Sequence, residues 1–310
     1  MATRPRAHVG RDQWHLAWDK TIPPVLTVGS GDVVSFDALD ASNGQITASS
    51  TTAGLATLAF DQVDQVAGPI FIDGAQRGDT LEVELLSFEP GDWGWTANIP
   101  GFGLLADDFP EPYLRITRLA DAAGDLLPGV RVPLAPFCGE LGVAPSGESR
   151  STIPPDVTGG NMDTRHLTAG SRLWLPVQVP GALFSLGDGH AAQGDGEVCG
   201  TAIETPMRAT VRLTVRRDVS VAGPEFRTPG PLGTSTNTAG WLAADGVGPD
   251  LFAAAREAVR RMIDRLGVEQ GLTPLDAYLL LSVAGDLRIS EIVDQPNWIV
   301  TSYCPLSIFG

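Results

Sequence analysis

The segment from residue 184 to residue 204 combines one of the four histidines of the chain with a cluster of carboxylates. Asp188 and His190 are two residues apart, so an extended backbone directs both side chains to one face. Three more carboxylates follow within a glycine-rich stretch: Asp195, Glu197 and Glu204. An imidazole among carboxylates suits a borderline divalent cation, most often zinc. The segment therefore predicts a divalent metal site, and a solvated acidic loop with a surface histidine is the alternative.

The predicted ligands of this metal ion are Asp188 and His190, with Glu197 or Asp40 completing the set. Asp40 follows a predicted strand, where a carboxylate can bind a metal ion but more often caps the backbone amides of a turn. Asp195, Glu204 and His15 are further candidates. Spacing alone does not show which of these side chains converge. Calcium, which prefers oxygen ligands, is expected only as a second or structural ion.

Glu140 is the candidate catalytic residue, because it stands alone among apolar and small residues between Pro136 and Pro145. A carboxyl group in such surroundings is either a salt-bridged core group or one with a raised pKa that suits proton transfer.

Aromatic residues interleaved with glycines between Pro90 and Leu105 are the candidate substrate pocket: Trp93, Trp95 and Phe102. Such residues can line a small pocket or cover the edge of a sheet. A polar loop further along the chain contains side chains that we interpret as structural, because they are typical of residues that stabilise turns: Asn161, Asp163 and Arg165.

A glycine turn followed by an alternating strand occurs in three places, at residues 28–36, 76–85 and 168–177. This pattern is typical of hairpins in a sandwich or barrel. Helical patterns occur only near the C-terminus. The first is predicted over 250–266 with Gly267 as its stop, and the second opens at Thr273 with Pro274 in its first turn.

These patterns predict a mainly β protein of the α+β class, with sandwich-like or barrel-like strands and a smaller C-terminal α/β part. Two domains are predicted. Residues 1–180 form a mainly β domain, and residues 181–310 contain the strands of the metal motif, the helices and a terminal strand.

The chain has 310 residues and a net charge of −16, with Lys20 as its only lysine. An acidic surface without a basic cluster makes nucleic acid an improbable partner, and no apolar run is long enough to cross a membrane. The first ten residues lack the apolar segment of a secretory signal, and the three cysteines are widely spaced. These features predict a cytoplasmic location.

Several hydrolytic chemistries can be tested by their residue requirements. Mechanisms that pair serine with lysine, or glutamate with lysine and cysteine, would depend on Lys20 alone. The Gly-x-Ser-x-Gly elbow of serine hydrolases and the glycine-rich loops of nucleotide sites are both absent from the sequence. Metal-assisted chemistry with carboxylates and one or two histidines remains.

The sequence resembles the acetamidase/formamidase family over nearly its whole length. The motifs that carry the resemblance are Asp40-Ala-Ser-Asn-Gly-Gln45, Gly94-Trp-Thr-Ala-Asn-Ile-Pro-Gly-Phe-Gly103, Gly142-Val-Ala-Pro145, Gly159-Gly-Asn-Met-Asp163, Gly187-Asp-Gly-His-Ala-Ala-Gln-Gly-Asp-Gly-Glu197 and Gly285-Asp-Leu-Arg-Ile289. The resemblance implies an oligomeric, cytoplasmic amidohydrolase for short amides, in a fold associated with zinc and sometimes calcium. Some relatives hydrolyse γ-lactams instead. His166 departs from the acidic residue expected there, which puts the role of that position in doubt.

The predicted function is metal-dependent hydrolysis of a short aliphatic amide, such as formamide or acetamide, to ammonia and a carboxylate. The first alternative is a γ-lactam or carbamate hydrolase with a wider pocket. The second is a non-catalytic β-sandwich module that binds a small ligand on Trp93 and Trp95, with calcium as a structural ion. A homo-oligomer is expected from the resemblance.

Overall fold

The computed structural model describes residues 5–230, 232 and 238–310. This part of the chain contains 21 strands, two α-helices, α1 (Leu251–Gln270) and α2 (Pro274–Ala284), and three short 3-10 segments, Thr52–Thr57, Phe60–Gln62 and Leu306–Ile308. The strands, in chain order, are β1 (Ala7–Val9), β2 (Trp14–His15), β3 (Ala17–Trp18), β4 (Leu26–Val28), β5 (Asp32–Ala38), β6 (Val66–Ile72), β7 (Thr80–Pro90), β8 (Trp93–Asn98), β9 (Tyr113–Ala120), β10 (Ala123–Leu127), β11 (Val130–Pro133), β12 (Phe137–Gly142), β13 (Arg150–Ser151), β14 (Gly159–Asn161), β15 (Arg172–Pro176), β16 (Phe184–His190), β17 (Met207–Arg216), β18 (Glu225–Arg227), β19 (Trp241–Gly248), β20 (Asp286–Glu291) and β21 (Trp298–Pro305).

Two large sheets pack face to face around the main core. The first has the order β1-β5-β17-β7-β15-β18, and the second has the order β14-β12-β16-β6-β2 with β4 added beside β6. Apolar residues at alternate positions, such as Val211 and Leu213 of β17, are fully buried and meet Phe184 and Leu186 of β16 in one cluster. This arrangement follows from the two-residue period of strands, which places every second side chain on the buried face.

The three predicted glycine turns are confirmed. Gly31, Gly78 and Gly170 have φ values of 92°, 95° and 91°, a region that other residues rarely adopt, and each lies just before a strand of the first sheet, β5, β7 and β15.

The C-terminal part forms a second layer. Both α-helices and a three-stranded sheet with the order β19-β21-β20 pack around a separate apolar cluster that includes Met262, Leu266 and Tyr278. The predicted start of α2 is confirmed, because the Thr273 hydroxyl accepts a hydrogen bond from the Asp276 amide (3.1 Å) and Pro274 follows it.

The predicted end of the first helix was wrong. α1 continues through Gly267 to Gln270 and ends where Gly271 adopts a left-handed φ of 68°. A glycine inside a helix costs only about 1 kcal/mol relative to alanine, and packing of the neighbouring Leu266 and Ile263 in the core outweighs that cost.

The mainly β fold with C-terminal helices is confirmed. Strands from before and after residue 180 share both large sheets, since β17 lies between β5 and β7 and β16 lies between β12 and β6. The division into domains at residue 180 stays a prediction. Among the described residues, neither helix is both long and apolar enough to cross a lipid bilayer.

Candidate active site

His190 is the centre of a buried acidic cluster at the end of β16. Its Nε2 atom lies 3.0 Å from Asp188 Oδ2 and 3.1 Å from Glu204 Oε2. Asp188 reaches it from the same strand, as the two-residue spacing predicts. Glu204 arrives from the next segment because an antiparallel bridge pairs its backbone with that of His190. All three residues are at least 96% buried, so this cluster is shielded from bulk water.

Two further carboxylates surround the same imidazole. Glu197 Oε1 lies 3.9 Å from Nε2 of His190, and Asp163 Oδ1 lies 3.9 Å from Nδ1. Asp163 is brought there by the end of β14, where the Met162 amide donates to the Gly139 carbonyl of β12. Two overlapping groups could therefore hold a metal ion, Asp188 with His190 and Glu204, and Asp163 with His190 and Glu197.

The orientation of the imidazole is determined by Gln193. The Gln193 amide nitrogen donates to the Asp163 backbone carbonyl (2.8 Å), which turns its oxygen towards Nδ1 of His190 (2.7 Å). Nδ1 therefore carries a proton, and Nε2 faces Asp188 and Glu204. Phe137 packs edge-on against the ring, at 5.1 Å between centroids.

Several buried polar atoms of the cluster have no hydrogen-bond partner among the described residues: His190 Nε2, Glu204 Oε2, Asp163 Oδ1 and both carboxylate oxygens of Glu140. Glu204 Oε1, in contrast, accepts from the Ala202 amide at 2.7 Å. Leaving a buried polar atom unpaired costs about 1–3 kcal/mol, so this concentration of unpaired atoms makes the cluster the candidate active site.

The backbone around the cluster is strained. Four carboxylate residues adopt left-handed φ values between 42° and 54°: Asp64, Asp163, Asp188 and Glu197. Left-handed residues other than glycine are uncommon and cost of order 1 kcal/mol or more each. Gly139 of β12 is needed for space, because a Cβ atom there would lie 2.3 Å from Asp188 Oδ2 and 2.4 Å from Asp163 Oδ1.

The carboxyl groups of the cluster differ in pKa because their charged neighbours differ. Burial raises the pKa of Glu204 to about 8, and burial together with the nearby Asp188 raises that of Asp163 to about 7. Burial also tends to raise the pKa of Asp188, but the charge of the neighbouring His190 holds it below its ordinary value. Burial lowers the pKa of His190, yet the Asp188 and Glu204 carboxylates outweigh this and raise it well above 6.5.

Glu140 and Asp64 carry the other strongly shifted carboxyl groups near the cluster. Burial raises the pKa of each well above its usual range. The charge of Asp64 raises the pKa of Glu140 further, and the charge of Asp188 raises that of Asp64. Glu140 is fully buried in β12 and faces the same side of the sheet as its cross-strand partner Asn161. Raised pKa values of this kind favour the protonated form of both carboxyl groups at neutral pH.

The cluster opens into a cavity of about 470 Å³. Five carboxylate residues line it: Asp64, Asp163, Asp188, Glu197 and Glu204. Trp95 and Phe102, two of the predicted pocket residues, also line this cavity. Trp93 does not, and instead packs against an apolar cluster that contains Trp95 and Leu114.

Comparison with known proteins decides the family. The model of the acetamidase/formamidase family matches residues 3–150 and 146–310. The chain belongs to the acetamidase/formamidase family.

Individual proteins of known name or structure resemble the chain over most of their length. It is 27% identical to the formamidase of Methylophilus methylotrophus, over 96% of this chain and 89% of that protein. The structure of a gamma lactamase from Delftia acidovorans has a TM-score of 0.89 at 25% identity, covering 96% of this chain and 89% of that one. The structure of the acetamidase of Bacillus halodurans has a TM-score of 0.70 at 31% identity, covering 96% of this chain and 97% of that one. Family membership supports an amidohydrolase activity for the chain.

In this member of the family, Asp40 has a role in the cavity wall. Its Oδ1 atom accepts hydrogen bonds from Trp95 Nε1 (2.9 Å) and from the amide (3.0 Å) and hydroxyl of Ser42. Asp40 therefore holds the Trp95 ring against the cavity, and it does not belong to either group of potential metal ligands among the described residues.

Asp195 and His15 also lie outside these two groups. Asp195 pairs with Arg165 Nε at 3.1 Å. The imidazole of His15 has its Nδ1 atom 2.8 Å from the Ala17 carbonyl oxygen and its Nε2 atom 2.8 Å from the Ser185 hydroxyl. Both ring nitrogens of His15 are thus already paired within the chain.

Sequence reasoning missed three residues of the cluster. Asp163 has the pattern of a turn residue, although it ends a family motif. Gln193 lies inside the main motif, where its residue type does not indicate a role. Asp64 belongs to none of the motifs, and only the fold brings it to the cavity.

Proposed function

We propose that this protein hydrolyses uncharged carboxamides to a carboxylate and ammonia with the help of a divalent metal ion. The unpaired Nε2 of His190 and Oε2 of Glu204, buried side by side with Asp188 at the end of a cavity, support this reaction most directly. Without a cation there, a pocket lined by five carboxylates would hold several protons or pay a large electrostatic cost.

Asp188, His190 and Glu204 would hold the ion, and zinc suits this mixed nitrogen and oxygen set best. When bound, a divalent ion supplies Lewis-acid activation of water and of the substrate carbonyl. Gln193 keeps Nε2 of His190 free by holding the proton on Nδ1, as outer-shell partners of metal-binding histidines commonly do. Calcium as a second ion stays a prediction.

The Glu140 and Asp64 pair would carry the proton. Asp64 lines the cavity, and Glu140 lies behind the wall with both oxygens unpaired. A carboxyl group with a raised pKa can accept a proton from the attacking water and return one to the departing nitrogen. Asn161, which also lines the cavity and has an unpaired Oδ1, offers a neutral amide group that can orient the substrate amide.

Metal dependence is tested by measuring ammonia release from formamide, acetamide and propionamide, with the metal content determined in parallel. We expect chelation to abolish release and zinc to restore it. His190→Gln should lose both bound metal and turnover. If it retained both, the assignment of this cluster as the metal site would be wrong.

The proton carriers are tested by Glu140→Gln and Asp64→Asn. General acid-base groups typically contribute about 10²–10⁴-fold, so each variant should lower kcat by at least about 100-fold. Glu82→Gln is the matched control, because Glu82 is a buried glutamate of β7 that pairs with Trp174 and Arg216 away from the cluster. Full turnover by Glu140→Gln would remove Glu140 from the mechanism.

A γ-lactam is the second candidate substrate. This candidate is supported by the structural match to the gamma lactamase from Delftia acidovorans, for which the TM-score is 0.89. Including a γ-lactam in the substrate panel separates ring opening from ammonia release.

A further inference from the structure

The cavity has two chemically different ends. The buried Asp188 and Glu204, next to His190, lie at one end, and apolar side chains form most of the remaining wall, among them Leu58, Phe60, Val63, Ile99, Phe102 and Ile153. These side chains come from three segments of the chain, residues 58–63, 95–102 and 153–162. An apolar wall of this kind has no role in binding the metal ion or in moving protons.

Phe102 is a fixed part of that wall. Its amide donates to the Ile99 carbonyl in a turn (3.0 Å), and its ring packs so closely on Gly200 that a Cβ there would lie 2.4 Å from the ring. Phe60, from the 3-10 segment Phe60–Gln62, meets the same ring edge-on at 6.1 Å between centroids. The two rings are 38% and 43% exposed, so they form the outer, solvent-facing part of the wall.

The charge of the cavity restricts the substrate. Its described lining contains five carboxylate residues and no lysine or arginine. A substrate that carried its own carboxylate or phosphate would enter this field against strong repulsion, because charges interact strongly where water is excluded. An anionic substrate is therefore disfavoured, and the apolar side chains of the remaining wall offer no partner to a cationic group.

The volume indicates how large the substrate is. A cavity of about 470 Å³ falls in the range of about 300–1,000 Å³ that is typical of pockets for drug-sized ligands. Formamide and acetamide are among the smallest amides and would leave the apolar wall in contact with water. A larger apolar group would displace that water and gain the contact.

We infer, resting on the proposed amide hydrolysis, that the substrates of this site are neutral amides with an apolar group of ring size next to the amide. The amide lies at the acidic end, and the apolar group lies against Phe102 and Phe60. One methylene group in an apolar pocket changes kcat/KM by about 10-fold or more, so a ring should produce a large preference.

The test compares kcat/KM of the zinc-loaded enzyme for acetamide, 2-methylpropanamide, benzamide and phenylacetamide. We expect the value to rise along the series, with phenylacetamide at least about 10-fold above acetamide. Succinamate, which adds a carboxylate to a short amide, should be hydrolysed at least about 10-fold more slowly than the neutral amide of similar size.

Variants of Phe102 and Phe60 test whether the apolar wall causes the preference for phenylacetamide over acetamide. Phe102→Ala should reduce the ratio of kcat/KM for phenylacetamide to that for acetamide at least about fivefold, and Phe60→Ala should reduce it in the same direction. Phe226→Ala is the matched control. Phe226 is 43% exposed in β18 and lies outside the lining of this cavity, so the ratio should stay within about twofold of the wild-type value.

Two failures can be told apart. If acetamide or formamide is the best substrate, or if Phe102→Ala leaves the ratio unchanged, the inferred substrate class is wrong although amide hydrolysis stands. If no amide is hydrolysed, binding of phenylacetamide and acetamide is measured by calorimetry. Tighter binding of phenylacetamide that Phe102→Ala weakens would then support the substrate class and overturn the hydrolysis. Equal or absent binding would overturn both.

Discussion

His190, which is buried, and His15, which is partly buried, lie in opposite electrostatic surroundings. His190 is next to carboxylates that raise its pKa, whereas His15 contacts a backbone carbonyl and a hydroxyl. Burial therefore lowers the pKa of His15 from its ordinary value of 6.5 to about 4, with the hydrogen bond to Ala17 opposing the change. His15 is neutral in the folded protein at the pH where the unfolded chain already binds a proton.

The depressed pKa of His15 makes stability dependent on pH. Its contribution is present in full above pH 6.5 and is lost as the pH falls from about 6.5 to about 4, because only the unfolded chain gains the proton there. A shift of this size corresponds to on the order of 3 kcal/mol. We expect His15→Gln to lack this loss.

The measurement is urea unfolding of wild type and His15→Gln at pH 7.5, 6.5, 5.5 and 4.5. The difference in the free energy of unfolding between the two proteins should shift in favour of the variant as the pH falls. A difference that does not change with pH would show that His15 has no depressed pKa.

At the scale of elements, α1 shows which local signals determine a helix end. Asp250 caps its start, where the carboxylate accepts from the Ala253 amide at 2.7 Å. Gly267 and Gly271 could each end the helix, but only Gly271 has the left-handed φ that is typical of a helix C-terminus. Gly267 lies within the helix, where it gains nothing from lacking a Cβ.

This difference between the two glycines predicts opposite effects of alanine. A Cβ at residue 267 would meet only the Leu272 carbonyl oxygen at an ordinary 3.5 Å, so Gly267→Ala should stabilise the protein by about 0.5–1 kcal/mol. Gly271→Ala should destabilise it by about 1 kcal/mol or more, because alanine is strained at a φ of 68°. Urea unfolding at neutral pH measures both, and a loss of stability in Gly267→Ala would contradict the assigned helix end.

At the scale of the whole molecule, acidic side chains outnumber basic ones. The net charge is −16, and most of the ion pairs involve side chains that are partly exposed to water. Exposed ion pairs are each worth about 0–1 kcal/mol, whereas repulsion among the excess carboxylates acts over the entire surface. We therefore expect net repulsion to dominate the effect of salt.

Raising NaCl from 0.1 M to 1 M shortens the screening length from about 10 Å to about 3 Å and should raise Tm by a few degrees. Differential scanning calorimetry gives the shift, and sucrose at equal osmolality, which does not screen charge, is the control. A lower Tm in salt would mean that ion pairs outweigh the repulsion.

The sequence alone determined the features that depend on local rules. The shared face of Asp188 and His190 follows from the two-residue period of a strand, and the hairpin turns and the cap at Thr273 follow from single residue types. The main motif and the fold class could be recognised for the same reason.

Only the tertiary structure decided which carboxylates converge. Glu204 and Asp163 join His190 through pairing of distant backbone segments, while Asp40 and Asp195 are paired with Trp95 and Arg165 elsewhere. A sequence records the identity and spacing of these acids but not the strand order that brings them together. Strand order depends on burying apolar faces over the whole chain, so the composition of the site is a property of the fold.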